Sequence, residues 1–140
     1  MIGKIRSFIN SKIAEVDPDL KENPSAFFDN DIGESIIDRS YQVTIVPLPA
    51  VVRDLAFERT LTVSISIFGY GGREQIRNYD ALIDKAICIE DCLISLKNFY
   101  QVETITDIVS EGIQASKYTD TDDCYKVDIN LTIRQNYTRE

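Results

Sequence analysis

Apolar residues recur at helical spacing in two separate parts of the chain. In residues 2–16, isoleucines and a valine repeat every three or four positions and form one stripe. The Asp17-Pro18 step ends this helix, because proline disfavours helical geometry in the residue before it. A second helix is predicted over about 75–98. Its first apolar stripe consists of Leu82, Ala86, Ile89, Leu93 and Leu96.

Alternating apolar and polar positions predict two strands in the first half of the chain. One strand covers residues 40–47 and ends at its proline, since proline cannot donate a hydrogen bond to a sheet. The next strand covers about 58–68, where threonine and serine fill the polar face and indicate a surface that is only partly exposed to solvent. Residues 17–39 are interpreted as a long connection that Phe27-Phe28 anchors.

Two further strands are predicted in the second half. A weaker candidate spans residues 103–117, with Gly112 as a bulge. Its apolar positions in phase are Ile105, Val109, Ile113 and Ala115. The clearest alternation of the whole sequence runs from Tyr125 to Ile133.

The resulting order of elements is α-β-β-α-β-β. Hairpins on either side of a helix predict an α+β fold, with a mostly antiparallel four-stranded sheet and helices packed on one face. A length of 140 residues suits one hydrophobic core, so residues 1–140 are interpreted as a single domain.

Charge and composition restrict the classes of function. A formal net charge of −8 argues against a protein that reads nucleic-acid sequence, because phosphate contacts need clustered lysine and arginine. No stretch approaches the roughly 20 apolar residues of a membrane-spanning helix, so no membrane partner is predicted. The three cysteines are an odd number, which fits reduced thiols better than a disulfide framework.

Three motifs are candidates for a ligand or metal site, and each has a simpler interpretation. Gly69–Arg73 lacks the third glycine of a dinucleotide fingerprint and the Lys-Ser/Thr pair of a P-loop. Cys88 and Cys92 could draw only on Cys124 as a further soft ligand, whereas structural zinc needs four ligands, so small residues at a helix interface are the better interpretation. Asp120–Asp123 lacks the glycine and the glutamate of a calcium loop. Neither a cofactor nor a metal is predicted.

The sequence contains no recognisable catalytic arrangement. Histidine, the commonest general base, is absent, so a serine or cysteine nucleophile would have no histidine to activate it. The neighbouring acids Glu90 and Asp91 point to different helix faces and could not act together across one bond. The chain is therefore predicted not to be an enzyme.

Two apolar surfaces exceed the needs of one small core. Residues 48–57 join two strands and should form a polar loop, yet they are rich in large apolar side chains. This arm either folds back as a lid on its own core or packs against another chain. Helix 75–98 has a second apolar stripe, which serves either a wide core contact or a subunit contact. The candidate interface residues are Leu48, Val51, Val52, Leu55, Phe57, Ile83, Ile87 and Ile94.

In the order and length of its elements the chain resembles the tail terminator proteins of long-tailed bacteriophages, together with related neck and tail-completion proteins. The resemblance concerns element order over most of the chain and no specific motif. The features that carry it are Phe27-Phe28-Asp29 ahead of a strand, the strand Tyr41–Pro47, the arm 48–57, the strand Leu61–Phe68, the turn into helix 75–98, and a final alternating strand that ends at Ile133-Arg134.

The resemblance implies a structural virion protein. A terminator forms a hexameric ring that caps the head-proximal end of the tail tube, stops its polymerisation and joins it to the neck. The implied partners are further copies of the chain, the tail tube protein and a neck or connector protein. DNA would pass through the ring without sequence-specific binding. The acidic charge of the protein suits this role, because it repels the negatively charged DNA backbone. The implied location is the virion tail, after assembly in the host cytoplasm.

Such a ring is closed by heterologous contacts, so each subunit offers two different surfaces. The arm 48–57 and the second stripe of helix 75–98 are the candidates for these surfaces. Three alternatives remain open: a neck or head–tail connector protein of the same fold, a small-ligand-binding module in which Tyr70 and the glycine turn would line a pocket, and a minor enzyme that uses a lysine or an aspartate.

Overall fold

The computed structural model describes residues 2–22, 40–53, 56–70, 75–95, 105–117 and 124–138. Within these residues the chain forms two helices and six strands and has an α+β fold. The elements in chain order are α1 (Ile2–Val16), β1 (Lys21–Glu22), β2 (Ser40–Pro47), β3 (Val51–Arg53), β4 (Ala56–Tyr70), α2 (Gln75–Ile94), β5 (Ile105–Lys117) and β6 (Cys124–Thr138).

The strands form one mixed sheet in the order β1-β2-β4-β6-β5, with β3 also paired to β4. Only the contact between β1 and β2 is parallel among the described pairings. The expected four-stranded sheet and the order α-β-β-α-β-β are therefore wrong in detail, because β1 and β3 were not predicted. These strands have two and three residues, too few to show an alternating pattern.

The centre of the sheet is the long antiparallel pair of β4 and β6. Its register is unbroken from Ala56 opposite Thr138 to Tyr70 opposite Cys124. The odd-numbered residues of the central part face the helices and are buried. This buried row consists of Leu61, Val63, Ile65, Ile67, Val127, Ile129, Leu131 and Ile133.

Both helices pack on this side of the sheet and bury most of the stripes that their periodicity predicts. The exception is Ile2, which was expected in the stripe of α1 and is 39% exposed at the first turn of the helix. The helix residues of the core are Ile5, Phe8, Ile9, Ile13, Leu82, Ala86, Ile89 and Leu93. The second helix ends at Ile94. The remainder of the predicted range up to 98, and Phe27-Phe28, lie outside the described residues.

Strand β5 stays paired with β6 along its length but contains two bulges. Its register against β6 shifts between Ile105 and Asp107 and again between Ser110 and Gly112. Gly112 has a φ of 118°, a backbone conformation that side-chain-bearing residues rarely adopt, and the predicted bulge is confirmed. The first shift reverses the alternation, so Ile108 is buried while Val109 is 42% exposed. The expectation that Val109 is in phase with the core is wrong for this reason.

The helices lie side by side over different parts of the sheet. On the β2 side, the Arg6 guanidinium donates to the carbonyl of Val43 over 2.7 Å. On the far side, Glu90 of α2 contacts Ser110 of β5. An ion pair of 2.6 Å between Lys85 and Asp17 joins α2 to the residue that follows α1. Thus α1 covers the edge formed by β1 and β2, and α2 covers the edge formed by β5.

Candidate functional site

Four exposed apolar side chains lie on the outer strand β2–β3 and are called the edge patch: Val46, Leu48, Val51 and Val52. They are 42 to 56% exposed. Four of the eight large hydrophobic residues that are exposed in the described part of the chain therefore lie in β2, in β3 or in the short link between them. Such a concentration differs from the singly scattered apolar residues of an ordinary protein surface and is typical of interaction surfaces.

An extra residue on the outer strand shapes the edge patch. Strands β2 and β3 pair with the same edge of β4, with Pro47 opposite Leu61 and Val51 opposite Glu58. Three residues of the outer strand therefore match two of β4, and the amide of Leu48 donates to the carbonyl of Thr60 over 2.9 Å. This is the geometry of a β-bulge, which moves the following side chains to the opposite face.

The bulge wraps the edge patch around the rim of the sheet. Val46 lies opposite Thr62 and points away from the helices. Val51 points to the same side, and Val52, opposite Phe57, points to the helix side. The patch can therefore contact a partner that approaches the strand edge from either face.

The predicted arm of residues 48–57 is partly a hairpin. Val51–Arg53 pairs with the start of β4, so the expectation of a loop is wrong for these residues. Phe57 is half-buried. Leu48, Val51 and Val52 stay exposed, which does not fit a lid on the chain's own core. Leu55 lies outside the described residues.

The second apolar stripe of α2 forms a separate surface, the helix patch: Ile83, Ile87 and Ile94. Ile83 is partly buried and packs against the core. Ile87 and Ile94 are 42% and 37% exposed. The stripe therefore divides, with its first residue serving the core and the other two available to solvent.

Neighbouring contacts show which way the helix patch faces. Lys85 and Cys92 lie on the flank of α2 that faces α1, where they contact Asp17 and Glu15. Glu90 lies on the opposite flank and binds β5. At 100° per residue, Ile87 and Ile94 fall on the Glu90 flank. The helix patch is therefore at the β5 edge, and the edge patch is at the other edge of the same sheet.

Carboxylates border the helix patch. Asp80, Asp84 and Asp91 are exposed on α2, and Glu90 is half-buried beside them. The one basic residue between Asp80 and Asp91 is Lys85, which faces α1. The surface around Ile87 and Ile94 is therefore apolar in the middle and acidic at the rim.

The sheet face opposite the helices carries small polar side chains, as the hydroxyl-rich pattern of β4 predicted. An open groove of about 280 Å³ runs across its middle. Its lining includes Thr44, Thr62, Ser64, Asn130, Thr132, Val46 and Glu111. The Thr132 hydroxyl donates to the Glu111 carboxylate over 3.0 Å. The pocket that the ligand-binding alternative expects involves residues 71–74 of the glycine turn, which lie outside the described part of the chain.

The thiol of Cys92 lies at the contact between α1 and α2. Its sulfur is 3.6 Å from Oε2 of Glu15, and the Lys12 ammonium is 3.3 Å from the other oxygen of the same carboxylate. Burial and the Glu15 carboxylate raise the pKa of the Cys92 thiol, whereas Lys12 lowers it. The net effect favours the protonated thiol, which is the less nucleophilic form. Cys88 is exposed, so the expectation of small residues at a helix interface holds for Cys92 and is wrong for Cys88.

The described residues contain no group of three or more cysteine, aspartate and glutamate side chains that could hold a metal ion. The Asp120–Asp123 turn lies outside them. Within the same residues, neither helix combines the length and the apolarity that crossing a membrane requires.

No protein-family model matches the chain, and no curated protein sequence matches it.

Val46 is the member of the edge patch that the sequence analysis missed. It occupies a polar-face position of β2 in line with Gln42 and Thr44, and a valine in such a row is the signal that could have identified it.

Proposed function

We propose that the chain is a structural subunit of a long-tailed phage virion, a tail terminator that forms a ring at the head-proximal end of the tail tube. In this role it stops tube polymerisation and joins the tube to the neck. The observation that supports the proposal is the position of two unlike apolar surfaces, the edge patch and the helix patch, at opposite edges of one sheet. A closed ring of identical subunits uses two such surfaces on each subunit.

The charge of the chain suits a ring that encloses DNA. At a net charge of −8, the protein repels the phosphate backbone and lets DNA pass without sequence-specific binding. The proposed partners are further copies of the chain in a hexamer, the tail tube protein, and a neck or connector protein. The proposed location is the virion tail, reached after assembly in the host cytoplasm.

A neck or connector protein of the same fold uses the same two surfaces and is the second candidate. The two roles differ in the component that the ring binds. A terminator binds the growing end of the tail tube, whereas a neck protein binds the head-side connector and leaves tube growth unchanged.

Polymerisation of the tail tube protein encoded in the same genome tests the proposal. Added chain should shorten the tubes and cap one end, as seen by electron microscopy, and Val52→Asp should abolish both effects. Val109→Asp is the matched control, because Val109 is an exposed strand valine outside both patches. Unchanged tube length and uncapped ends would overturn the terminator role. Rings that bind the connector and not the tube would support the neck alternative.

A further inference from the structure

We infer that the β5 edge of the sheet accepts an added β-strand from a partner protein, an extended segment in which apolar and basic residues alternate. This contact belongs to the free subunit and does not depend on the proposed ring. A ring contact at the helix patch would use the same flank of α2, so the ring contact and the added strand would exclude each other.

Strand β5 is the last strand of the sheet, and its outer side is open among the described residues. In the order β1-β2-β4-β6-β5, no described strand pairs with that side. The register of β5 against β6 is unbroken from Gly112 to Lys117, beyond the second bulge. Because bulges interrupt pairing, this regular stretch is the part of the edge whose outward backbone N–H and C=O groups suit a further strand.

Helix α2 extends beyond this edge of the sheet. Its flank already reaches β5 at Glu90, which accepts a hydrogen bond from Ser110 over 2.6 Å. With roughly 3.6 residues per turn, Ile94 and Ile87 lie about 40° and 60° further round the helix than Glu90. They point past the last described strand and are 37% and 42% exposed. A strand added about 4.8 Å outside β5 would lie beneath them.

The helix side of β5 is incompletely covered as well. Val127 and Ile129 of β6 are fully buried, whereas their partners on β5, Ala115 and Ile113, are only half-buried. Ile83 of α2 is also half-buried. The apolar core therefore continues to the edge of the sheet without closing there. Apolar side chains on the helix side of an added strand would extend this core and remove apolar surface from water.

The charges around this edge favour a basic segment. Asp84 and Asp91 are exposed on α2, and Glu111 is exposed on β5. On the sheet face opposite the helices, β6 carries the basic residues Lys126 and Arg134, and each of them already lies beside an aspartate. Side chains of an extended strand alternate between its two faces. Lysine or arginine residues could therefore face Glu111 while the apolar residues between them face α2.

The chain itself does not supply a segment of this kind. Lys4 and Arg6 are the only basic residues in the sequence that are two positions apart, and both lie in α1. The occupant of the β5 edge is therefore a segment of a different protein and not of a second copy.

A fluorescent peptide of alternating valine and lysine tests this contact with the full chain, at a chain concentration too low for assembly. Fluorescence anisotropy should show saturable binding, and amide hydrogen exchange should slow in residues 112–117, because an added strand pairs with the backbone there. Ile87→Asp and Glu111→Lys should each weaken binding about tenfold or more, since they place a charge in the apolar contact and a like charge beside lysine. Val52→Asp, at the other edge of the sheet, is the control and should bind as the wild type does. A matched peptide of valine and glutamate should not bind.

Three results would overturn the added strand: no binding of the lysine peptide, binding that leaves exchange in residues 112–117 unchanged, or equally tight binding of the glutamate peptide. Equal weakening by Val52→Asp and Ile87→Asp would contradict the position of the contact. Should Ile87→Asp unfold, Ile87→Gln takes its place, because glutamine retains helix propensity. The length of tail tubes tests the terminator role separately, so either proposal can fail without the other.

Discussion

The carboxylate of Glu90 accepts a hydrogen bond from the hydroxyl of Ser110, with Oε2 and Oγ 2.6 Å apart. This contact ties α2 to β5 at the place where the strand is bulged, since Ser110 also accepts a hydrogen bond of 3.2 Å from the amide of Gly112. Glu90 lies between the buried stripe of α2 and the helix patch. The bond therefore helps to set which residues of α2 face outward.

The first prediction concerns this contact. Ser110→Ala should lower the free energy of unfolding by about 1–3 kcal/mol, because a part-buried carboxylate and a bulge amide lose their partner. Glu90→Gln should cost less, since its amide oxygen still accepts from the hydroxyl. Urea unfolding measures both. Ser116→Ala, an exposed serine on the same strand, is the control and should change stability by less than about 0.5 kcal/mol. Equal costs at Ser110 and Ser116 would contradict the role of the contact.

A second prediction separates the two stripes of α2. Ile89 is fully buried, and Ile89→Ala should destabilise the monomer by about 2–5 kcal/mol through lost burial and the cavity left behind. Ile87→Ala removes an exposed side chain and should change monomer stability by less than about 0.5 kcal/mol. Urea unfolding of the two variants at a concentration too low for assembly makes the comparison. Similar losses would mean that Ile87 belongs to the core and is not available to a partner.

Periodicity predicted those elements that are long and regular. The stripes of α1 and α2 and the alternation of β6 repeat often enough to indicate both the type of element and its buried face. Strands of two or three residues have no period, so β1 and β3 could not be found in this way. In β5 the period exists, but a bulge reverses it between Ile105 and Ile108, and only the bulge at Gly112 has a residue that marks it.

The candidate surfaces were predictable in part for the same reason. Leu48, Val51 and Val52 could be identified because loops are normally polar and exposed, so large apolar side chains in an expected loop are unusual. Their arrangement around the sheet rim depends on the extra residue between Pro47 and Val51, which is a property of register and not of composition. The acidic rim of the helix patch likewise emerges only when Lys85 is seen to face α1.

The third prediction contrasts two glycines. Gly112 has a φ of 118°, so Gly112→Ala should destabilise the fold by about 1–3 kcal/mol through backbone strain, although no atom lies within 4 Å of the added Cβ. Gly3 lies in the first turn of α1 and is equally open, so Gly3→Ala should stabilise α1, by at most about 0.5 kcal/mol because the full helix-interior effect is not reached there. Thermal unfolding of the two variants should therefore give shifts of opposite sign. A stabilising Gly112→Ala would show that the bulge does not require a positive φ.

The fourth prediction uses the thiol at the helix contact. Variants that retain only one cysteine, with serine at the other two positions, allow Cys88 and Cys92 to be alkylated separately. At pH 8, iodoacetamide should modify exposed Cys88 faster than Cys92, because burial and the Glu15 carboxylate raise the pKa of the Cys92 thiol and reduce its thiolate fraction. Glu15→Gln should speed the reaction of Cys92. The alkylation rate of Cys88 serves as the control and should not change in Glu15→Gln. Cys88 lies on the opposite side of α2 from β5 and has no described contact to Glu15.

The same raised pKa has a consequence for stability at alkaline pH. The folded state holds the Cys92 proton more tightly than the unfolded chain, in which the pKa of a cysteine is about 8.5. The resulting stabilisation is complete below that pH and is lost as pH rises through the higher folded pKa. Urea unfolding from pH 7 to about pH 10 should therefore show a steeper loss of stability for the wild type than for Cys92→Ala. Burial and Glu22 raise the pKa of Tyr41 in both proteins, so the difference between them isolates the thiol. If the stability of both proteins falls equally with pH, folding does not raise the pKa of Cys92.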